Sequence, residues 1–248
     1  MMTEQEYLKK YDPGKYEKPS VTTDILIFTM DTNSKLEVLL IKRGGHPYLG
    51  KWALPGGFVG INESLEEAAK RELREETGLK GDYHLEQLYT FGKVDRDPRM
   101  RVISVAYMAL IPKGNLSAAA GDDASDARFF NVSIDNWELC FTGNDHMKLT
   151  ADDLAFDHKD IIMTGLKRLS GKLDYTDLAF ELVADKKKFT IGELQKIHES
   201  IKGRPLDPAN FRRSFKKKYL DTGLVTESEQ ELENTNGRPS KSYRFLRP

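Results

Sequence analysis

Three acidic residues on one predicted helix have the types and spacing best suited to chemistry. They are Glu72, Glu75 and Glu76. On a helical wheel these glutamates fall on the same side as the apolar positions, where an unpaired carboxylate is costly. A divalent cation with hard oxygen ligands would offset that cost. The pattern therefore predicts a carboxylate-rich Mg²⁺ site that binds phosphates through the metal.

The helix that carries these glutamates has recognisable ends. Ser64 and Glu67 form a capping box that predicts the helical start, and Gly78 suits the C-terminal cap. Upstream, Gly57 belongs to a glycine turn that lets backbone carbonyls approach the same cation. A charged run of this kind is usually a solvent-exposed helix face. The wheel argues against that interpretation because the other charged positions form a separate outward face, Glu66, Glu67, Lys70 and Arg74.

A second group of candidate residues is basic and lies near the carboxyl end. Asp207 and Pro208 predict the start of a helix. Helical spacing then places Phe211, Phe215 and Tyr219 on a buried stripe. The opposite face carries no acidic residue and consists of Asn210, Arg213, Lys216 and Lys217. An uncompensated basic face of this kind suits the phosphates of duplex DNA.

The elements around the basic helix predict a winged helix-turn-helix. Thr190 and Glu193 form a second capping box, which predicts a preceding helix. Asn236-Gly237 predicts a hairpin whose tip carries Arg238, followed closely by Lys241. In such a fold the second helix enters the major groove and the wing contacts phosphate. A structural or dimerisation module with a solvated basic face is the alternative, but the coincidence of cap, core stripe and basic face favours DNA binding.

The part of the chain upstream of residue 171 predicts an α+β domain. Val21–Met30 and Leu36–Lys42 flank a cluster of turn residues and predict a hairpin. Trp52–Val59 reads as a strand broken by a glycine turn. Further strands are predicted at Tyr83–Lys93, Arg101–Ile111 and Ala127–Val132, and helices at 62–78 and Asp157–Leu169. Strands and helices in this mixed order form a sandwich of helices around a sheet.

Charge and composition shifts divide the chain into modules. We expect a polar N-terminal arm or short docking helix at 1–20, a first domain at 21–170, a linker at 171–188 and a second domain at 189–248. Residues 1–170 carry a net charge of −5 and residues 171–248 one of +4, which together give the −1 of the chain. The asymmetry suggests modules with different partners, although a difference this small also arises by chance.

Composition and the single cysteine limit the class of protein. Apolar residues make up 39% and charged residues 31% of the chain, which indicates a soluble globular protein. Cys140 is the only cysteine, which excludes an internal disulfide and a cysteine-rich zinc site. The N-terminus lacks the apolar core of an export signal, and the longest apolar stretch, Ser104–Pro112, is too short to cross a bilayer. We therefore expect a cytoplasmic protein with no membrane partner.

The segment from Gly57 to Leu79 resembles the Nudix box at every constrained position. Its fixed positions are Gly57, Glu63 and Arg71-Glu72-Leu73-Arg74-Glu75-Glu76-Thr77-Gly78-Leu79. The resemblance implies the Nudix α/β/α sandwich and a Mg²⁺- or Mn²⁺-dependent cleavage of a nucleoside diphosphate linked to another group. By position it implies Glu72, Glu75 and Glu76 as metal ligands with Gly57 nearby, Arg71 orienting a box glutamate and Glu63 supporting the loop.

Residues outside the box supply further candidates. Arg96-Asp97-Pro98-Arg99-Met100-Arg101 resembles the corresponding segment of ADP-ribose-type Nudix proteins, which implies substrate binding by Arg96, Arg99 and Arg101. A charged hairpin turn is an equally good interpretation. The base that activates water is often in a later loop of Nudix proteins, and Asp122, Asp123 and Asp126 are candidates unless that loop is simply solvated. We expect Asp157 or His158 to cap the following helix rather than do chemistry.

The two domains together resemble the Nudix-related transcriptional regulator (NrtR) family. The tail motifs that carry this resemblance are Phe189-Thr190 through Leu194-Gln195, Asn210-Phe-Arg-Arg213 and Gly237 through Phe245. In that family a Nudix domain senses a nucleotide sugar such as ADP-ribose, and the winged helix binds operators. Many of its members have degenerate boxes, whereas this box is complete, which keeps hydrolysis open.

The sequence thus leads to one main expectation and two alternatives. The expectation is a metal-dependent hydrolase of ADP-ribose-like substrates fused to a DNA-binding domain, acting in transcription as a homodimer. The first alternative is an ADP-ribose-sensing repressor without turnover. The second alternative is an enzyme whose tail only mediates assembly.

Overall fold

The N-terminal arm contains one short helix. The computed structural model describes residues 2–79, 83–116, 124–136, 138–232 and 240–246. Helix α1 spans Glu4–Lys10, and Thr3 and Glu6 close its start with a reciprocal capping box. Every residue of α1 is exposed. No helix within these described ranges is long and apolar enough to cross a membrane.

The first domain is built on one nine-stranded sheet. Its strands are β1 (Ser20–Met30), β2 (Leu36–Arg43), β3 (Trp52–Ala53), β4 (Gly56–Phe58), β5 (His84–Phe91), β6 (Val102–Leu110), β7 (Ala124–Asp135), β8 (Glu138–Gly143) and β9 (Lys148–Thr150). The main order is β5-β6-β1-β2-β7-β8-β9, with β3 paired to β2 and β4 to β1. Strands β1 and β6 run parallel, and the other pairs run antiparallel. The predicted hairpin is confirmed, and the predicted broken strand is present as β3 and β4, although the break lies at Leu54-Pro55 and the glycines belong to β4. Strands β8 and β9 were not predicted.

Two helices cover opposite faces of this sheet. Ile25 and Ile27 of β1 pack in a cluster with Leu73 of α2 (Leu65–Thr77). Leu26, which points to the other face, packs toward α3 (His158–Lys172). A Cβ added at Gly165 would overlap the Leu26 side chain, so α3 lies unusually close to the sheet there. The result is the predicted α/β/α sandwich, in which alternate side chains of β1 pack against the helices on the two faces of the sheet.

The second domain is a winged helix-turn-helix, as predicted. Its helices are α4 (Ile191–Lys202) and α5 (Pro208–Phe215), and α5 continues as one turn of π-helix over Lys216–Leu220. Strands β10 (Val225–Leu232) and β11 (Ser240–Phe245) pair antiparallel and form the wing. The predicted turn at Asn236-Gly237 and the tip residue Arg238 lie outside the described residues.

The predicted capping box of α4 is only half formed. The Thr190 hydroxyl accepts a hydrogen bond from the Glu193 amide, as expected for an N-cap. The Glu193 carboxylate accepts from the Ala184 amide at 3.3 Å, and it faces the Thr190 amide without closing the reciprocal bond of a full capping box. The start of α4 is therefore tied to the segment before it.

That preceding segment, the predicted linker 171–188, packs its apolar side chains into the core, while its polar residues stay at the surface. Its apolar residues are buried: Leu173, Leu178, Ala179, Phe180, Leu182 and Val183. Phe180 stacks on Phe245 with ring centroids 4.2 Å apart and meets Phe189 and Tyr219 edge-on. One continuous apolar cluster joins the sheet, α3 and the winged helix. A hydrogen bond of 2.8 Å from the Leu36 amide to the Ser200 hydroxyl adds a polar contact between the domains.

Replacing Phe180 by alanine is expected to lower the free energy of unfolding by about 3–5 kcal/mol, because it leaves a cavity among three aromatic rings. Urea denaturation of the full chain measures this. Tyr175→Ala changes an exposed aromatic residue of the same segment and is the matched control. A loss as small in Phe180→Ala as in Tyr175→Ala would show that the segment is a solvated linker after all.

Candidate ligand site and nucleic-acid interface

Arg71 on α2 joins the helix to the loop that precedes it. Its guanidinium donates to Glu63 at 2.8 Å, to Glu72 at 2.6 Å and to Glu75 at 3.3 Å. It also donates to the Phe58 carbonyl at 3.2 Å. The hydrogen bond from Arg71 is the main reason that the pKa of Glu63 falls to about 2. One cation thus pairs with three carboxylates and fixes the loop on the helix.

The Glu72 carboxylate lies directly against the glycine loop. Its side chain is buried, and burial raises its pKa even though Arg71 acts in the opposite direction. A Cβ added at Gly57 would overlap the Glu72 carboxylate. Gly57 is held in place by the pairing of β4 with β1. A glycine is therefore required for the close approach of Glu72 to the loop backbone.

The prediction that all three box glutamates point inward is wrong for Glu75. Glu72 and Glu76 are buried, whereas Glu75 is exposed. The reason is that Glu75 falls at the edge of the apolar stripe, about a quarter turn from its centre. Within the described ranges, no three His, Cys, Asp or Glu side chains converge as a metal cluster. The oxygen-only donors suit a hard divalent cation, but such a cation has to compete with Arg71 for Glu72 and Glu75.

A cavity of about 130 Å³ opens beside Gly57, between β1, β4 and the start of α3. Arginines and aromatic rings alternate on its rim. The Arg99 guanidinium lies 5.6 Å from the ring centroid of Phe58, and that of Arg43 lies 5.1 Å from Phe156. Small-molecule sites usually enclose roughly 300–1,000 Å³, so this cavity can hold only part of a ligand. The guanidinium groups of the rim can bind phosphate, and its aromatic rings can pack against a planar ring of a ligand.

The wall of this cavity is a buried ion network around Arg96. Its guanidinium binds both oxygens of Asp157, at 2.7 and 3.0 Å, and one oxygen of Asp24 at 3.2 Å. The Ser104 hydroxyl donates to the same Asp24 oxygen at 2.5 Å. Arg96 is 4% exposed in its side chain. Of the three arginines predicted to bind substrate, Arg96 is thus held in internal ion pairs.

His158, the first residue of α3, completes the network. Its Nδ1 accepts from the Leu54 amide at 2.8 Å, and its Nε2 lies 3.6 Å from the Asp24 carboxylate. Burial lowers the pKa of His158, so the ring is neutral near pH 7. Asp157 occupies the predicted N-cap position of α3. Asp157 precedes the helix but makes no side-chain cap, because its carboxylate is bound to Arg96.

The remaining candidates are spread more widely. Arg99 binds Asp97 at 2.8 Å on the rim, whereas Arg101 donates to the Lys93 carbonyl and does not line the cavity. Asp126 on β7 pairs with Arg128 at 2.7 Å, away from the cavity. The other two proposed bases, Asp122 and Asp123, lie outside the described residues.

Sequence reasoning missed Asp24, which lies at the centre of the buried network. The signal was present, because Asp24 is the only charged residue in the run Val21–Met30 that predicts a buried strand. A carboxylate in such a run needs a buried partner. Phe58, Phe156 and Arg43 were also missed, and no local pattern marks these residues.

The basic face predicted on α5 is present. Asn210, Arg213, Lys216 and Lys217 are all exposed, opposite the buried Phe215 and Tyr219. Within the part of the chain that the structure describes, the three basic residues have no ion-pair partner. On the wing, Lys241 is exposed and pairs with Glu227 at 3.0 Å.

Comparison with known proteins accounts for both domains. A family model for the NUDIX domain matches residues 19–135, and one for the NrtR DNA-binding winged helix domain matches residues 179–245. The ADPR responsive transcriptional repressor NtrR of Acinetobacter baylyi is 35% identical over 245 residues, which cover 98% of this chain and 88% of the relative. This chain belongs to the NrtR family. It is a Nudix domain fused to an NrtR DNA-binding winged helix, as the resemblance implied.

Other proteins are similar to this NrtR-family chain over one or both domains. The ADP-ribose pyrophosphatase of Methanocaldococcus jannaschii is 37% identical over 167 residues, 66% of this chain and 85% of the relative. The structure of a MutT/nudix family protein from Enterococcus faecalis matches with TM-score 0.78 and 32% identity, over 98% of this chain and 93% of that chain. Shewanella oneidensis NrtR complexed with a 27mer DNA matches with TM-score 0.68 and 30% identity, over 91% and 93%.

The buried His158 predicts a specific loss of stability at acidic pH. The folded protein keeps the His158 ring neutral, whereas in the unfolded protein the ring becomes protonated below about pH 6.5. The unfolded state therefore binds more protons, and the free energy of unfolding falls as the pH drops from 6.5, by at most about 1.4 kcal/mol per pH unit. Replacing His158 by glutamine should remove the part of the pH dependence of the unfolding free energy that comes from His158. Urea denaturation at pH 7.0, 6.0 and 5.0 measures the difference, and equal slopes in both proteins would contradict the buried neutral ring.

Proposed function

We propose that this protein is a DNA-binding transcriptional repressor whose operator affinity responds to an ADP-ribose-like nucleotide sugar. The observation that carries the proposal is the unpaired basic face of α5, on the second helix of a winged helix-turn-helix. The similarity to an ADPR responsive repressor over nearly the whole chain supports the ligand as well as the function.

The DNA-binding half of the proposal rests on charge and helix geometry. Arg213, Lys216 and Lys217 lie on one exposed face, with Asn210 one turn before them. In a helix-turn-helix this face enters the major groove, where arginine and asparagine read base edges and lysine binds phosphate. The structural match to an NrtR solved with DNA supports the same use of α5 here. Operators of this kind are read by symmetric dimers, so we include a homodimer and a cytoplasmic location in the proposal.

The ligand half of the proposal rests on the rim of the Gly57 cavity. ADP-ribose carries a diphosphate between two ribose units and an adenine ring. Arg43 and Arg99 offer guanidinium groups for the diphosphate, and Phe58 and Phe156 offer apolar faces for a ring. The small cavity would receive one end of the molecule, and the rest would lie across the rim.

Helix α3 supplies a physical connection between the two halves. Its first residue, His158, lines the cavity, and Asp157 just before it binds Arg96 in the cavity wall. At its end, the Lys218 ammonium donates to the Leu173 carbonyl at 3.2 Å, and Lys202 pairs with Asp174 at 2.5 Å. A ligand that changes the Asp157 contacts would therefore move α3 against α4 and α5. Control of DNA binding requires that ADP-ribose has different affinities for the free and DNA-bound states.

Hydrolysis of the ligand is the second candidate function, and the complete Nudix box favours it. Nudix hydrolases generally use divalent metal ions. Here Glu72, Glu75 and Glu76 would hold Mg²⁺ or Mn²⁺, with Gly57 nearby. The cation would neutralise the diphosphate and supply a positioned water. Arg71 would release a box glutamate and remain as a counter-ion. The similarity to an ADP-ribose pyrophosphatase over the Nudix domain supports this candidate.

Replacing Lys217 by alanine is expected to weaken binding to the duplex upstream of the protein's own gene and to flatten its salt dependence. Losing one phosphate contact reduces the log–log slope of affinity against salt by about 0.9. Fluorescence anisotropy at several salt concentrations measures the slope. Lys148→Ala, an exposed lysine on β9, should leave the slope unchanged. If no genomic fragment binds specifically at moderate salt, the repressor proposal is rejected.

ADP-ribose is expected to change that DNA affinity. The titration uses Glu75→Gln so that the ligand is not consumed, with AMP as a comparison ligand of matching base. A shift in operator affinity of about fivefold or more with ADP-ribose, and a smaller one with AMP, is the expected result. Specific DNA binding whose affinity does not change with ADP-ribose would support the repressor function and reject ADP-ribose as its ligand.

Any hydrolysis of ADP-ribose should depend on Glu75. Glu75→Gln removes a ligand charge from an exposed side chain, so turnover should fall by orders of magnitude while the fold is kept. Glu66→Gln, an exposed glutamate of the same helix, is the matched control. Product formation with Mg²⁺ or Mn²⁺ is followed by chromatography. Equal turnover in the two variants would remove the metal-site assignment.

A further inference from the structure

Lys218 comes directly after the two DNA-facing lysines but is directed into the protein. Lys216 and Lys217 are exposed, whereas Lys218 is partly buried. It follows Phe215 by three residues, so helical spacing places it beside the buried stripe rather than on the basic face. An ammonium group in that position needs polar partners within the protein.

The partners of Lys218 are main-chain carbonyl groups at the end of α3. Its ammonium donates to the carbonyls of Leu173, Asp174 and Thr176, at 3.2, 3.4 and 2.9 Å. A lysine ammonium has three hydrogens to donate, and these contacts use all of them. A cation is also favourable at the C-terminal end of a helix, where the helix dipole is negative. The side chain therefore ties the end of α5 to the end of α3 through acceptors whose positions the backbone fixes.

Lys218 belongs to the π-helical turn that follows α5. In this turn the Asp221 amide donates to the Lys216 carbonyl, five residues earlier, at 2.9 Å. A π turn contains one more residue than an α turn, so it changes the directions of the side chains that it carries, and such turns are frequent at functional sites. Lys216 and Lys217 are its first two residues. Their direction toward DNA therefore depends on what holds the turn in place.

Two kinds of side-chain contact hold this turn. Phe215 and Tyr219 are 1% and 3% exposed, and their ring centroids lie 5.6 Å apart in the core. Apolar packing of this kind is non-directional. The Tyr219 hydroxyl adds no directional contact, because it has no hydrogen-bond partner among the described residues. The hydrogen bonds of Lys218 do depend on direction, since they weaken steeply when donor and acceptor are misaligned.

We propose that Lys218 is a positioning residue for DNA binding, which holds the π turn against the end of α3 and so directs Lys216 and Lys217 at the phosphates of the duplex. The inference rests on the proposed repressor function. Lys218 does not contact DNA itself, because its ammonium is engaged by the three carbonyls. A role confined to stability would lower the free energy of unfolding but would leave the phosphate contacts of the folded molecules unchanged. The salt dependence of DNA affinity counts those contacts and separates the two roles.

Fluorescence anisotropy of the full chain with the duplex upstream of its own gene, at several salt concentrations, tests the proposal. Lys218→Met keeps the length of the side chain without the ammonium. It should reduce the log–log slope by about 1.8, the share of two phosphate contacts. Lys218→Arg keeps the charge and several donors and should keep the slope. Lys172→Met removes an ammonium that binds Glu86 at the same end of α3 and should also keep the slope. An unchanged slope in Lys218→Met, or an equal loss in Lys172→Met, overturns the proposal.

A double replacement tests the link to the neighbouring lysines. In the unchanged protein Lys217→Ala should reduce the slope by about 0.9. Combined with Lys218→Met, the same replacement should have less than half of that effect, because Lys217 is then no longer directed at phosphate. Additive losses would make Lys218 an independent contact and overturn the proposal. If Lys217→Ala has no effect in the unchanged protein, the DNA contact of the proposed function is itself wrong, and the positioning role is rejected with it.

Urea denaturation checks that each variant is folded under the binding conditions. Lys218→Gln is a second neutral variant for which the same loss of slope is expected. If neither Lys218→Met nor Lys218→Gln folds, Lys218 is required for the fold as a whole, and a role specific to the DNA-facing lysines is rejected.

Discussion

The buried ion network around Arg96 is the contact on which the rest of the arrangement depends. A guanidinium in the interior is tolerated only when its charge is paired, and here Asp24 and Asp157 pair it from two different elements. These contacts join β1, the segment before β6 and the start of α3. The network thus fixes the start of α3 and the wall of the ligand cavity, while the apolar cluster at the other end of α3 holds the winged helix.

The chain uses a second arginine in a similar way but at a different depth. Arg71 also pairs with several carboxylates, yet its side chain is 34% exposed, against 4% for Arg96. Water can replace the contacts of Arg71 when a metal cation binds Glu72 or Glu75. Breaking the Arg96 ion pairs would instead leave a buried charge without a partner. Arginine–carboxylate pairing therefore gives an exchangeable contact in the Nudix box and a fixed contact in the wall of the ligand cavity.

Local patterns in the sequence predicted what depends on local physics. The caps of α2, its outward face, the buried stripe of α5 and its basic face follow from helical spacing and are present. Glu75 was misplaced because it lies at the margin of a stripe, where small rotations decide exposure. The meeting of Asp24, Arg96 and Asp157 could not be derived, since segments far apart in sequence converge only in the folded sheet. The short strands β8 and β9 gave too little alternation to be recognised.

The burial of residues 173–183 has a consequence for how such a protein can be rearranged in evolution. This segment supplies Phe180 to the aromatic core of the winged helix and also packs against β1 and β6 of the sheet, although it reads as a connector in the sequence. A gene fusion that joined a different Nudix domain at residue 188 would leave that core without its central ring. We therefore expect recombination between members of the family to be tolerated only where the crossover keeps this segment together with the winged helix and preserves the docking surface of α3.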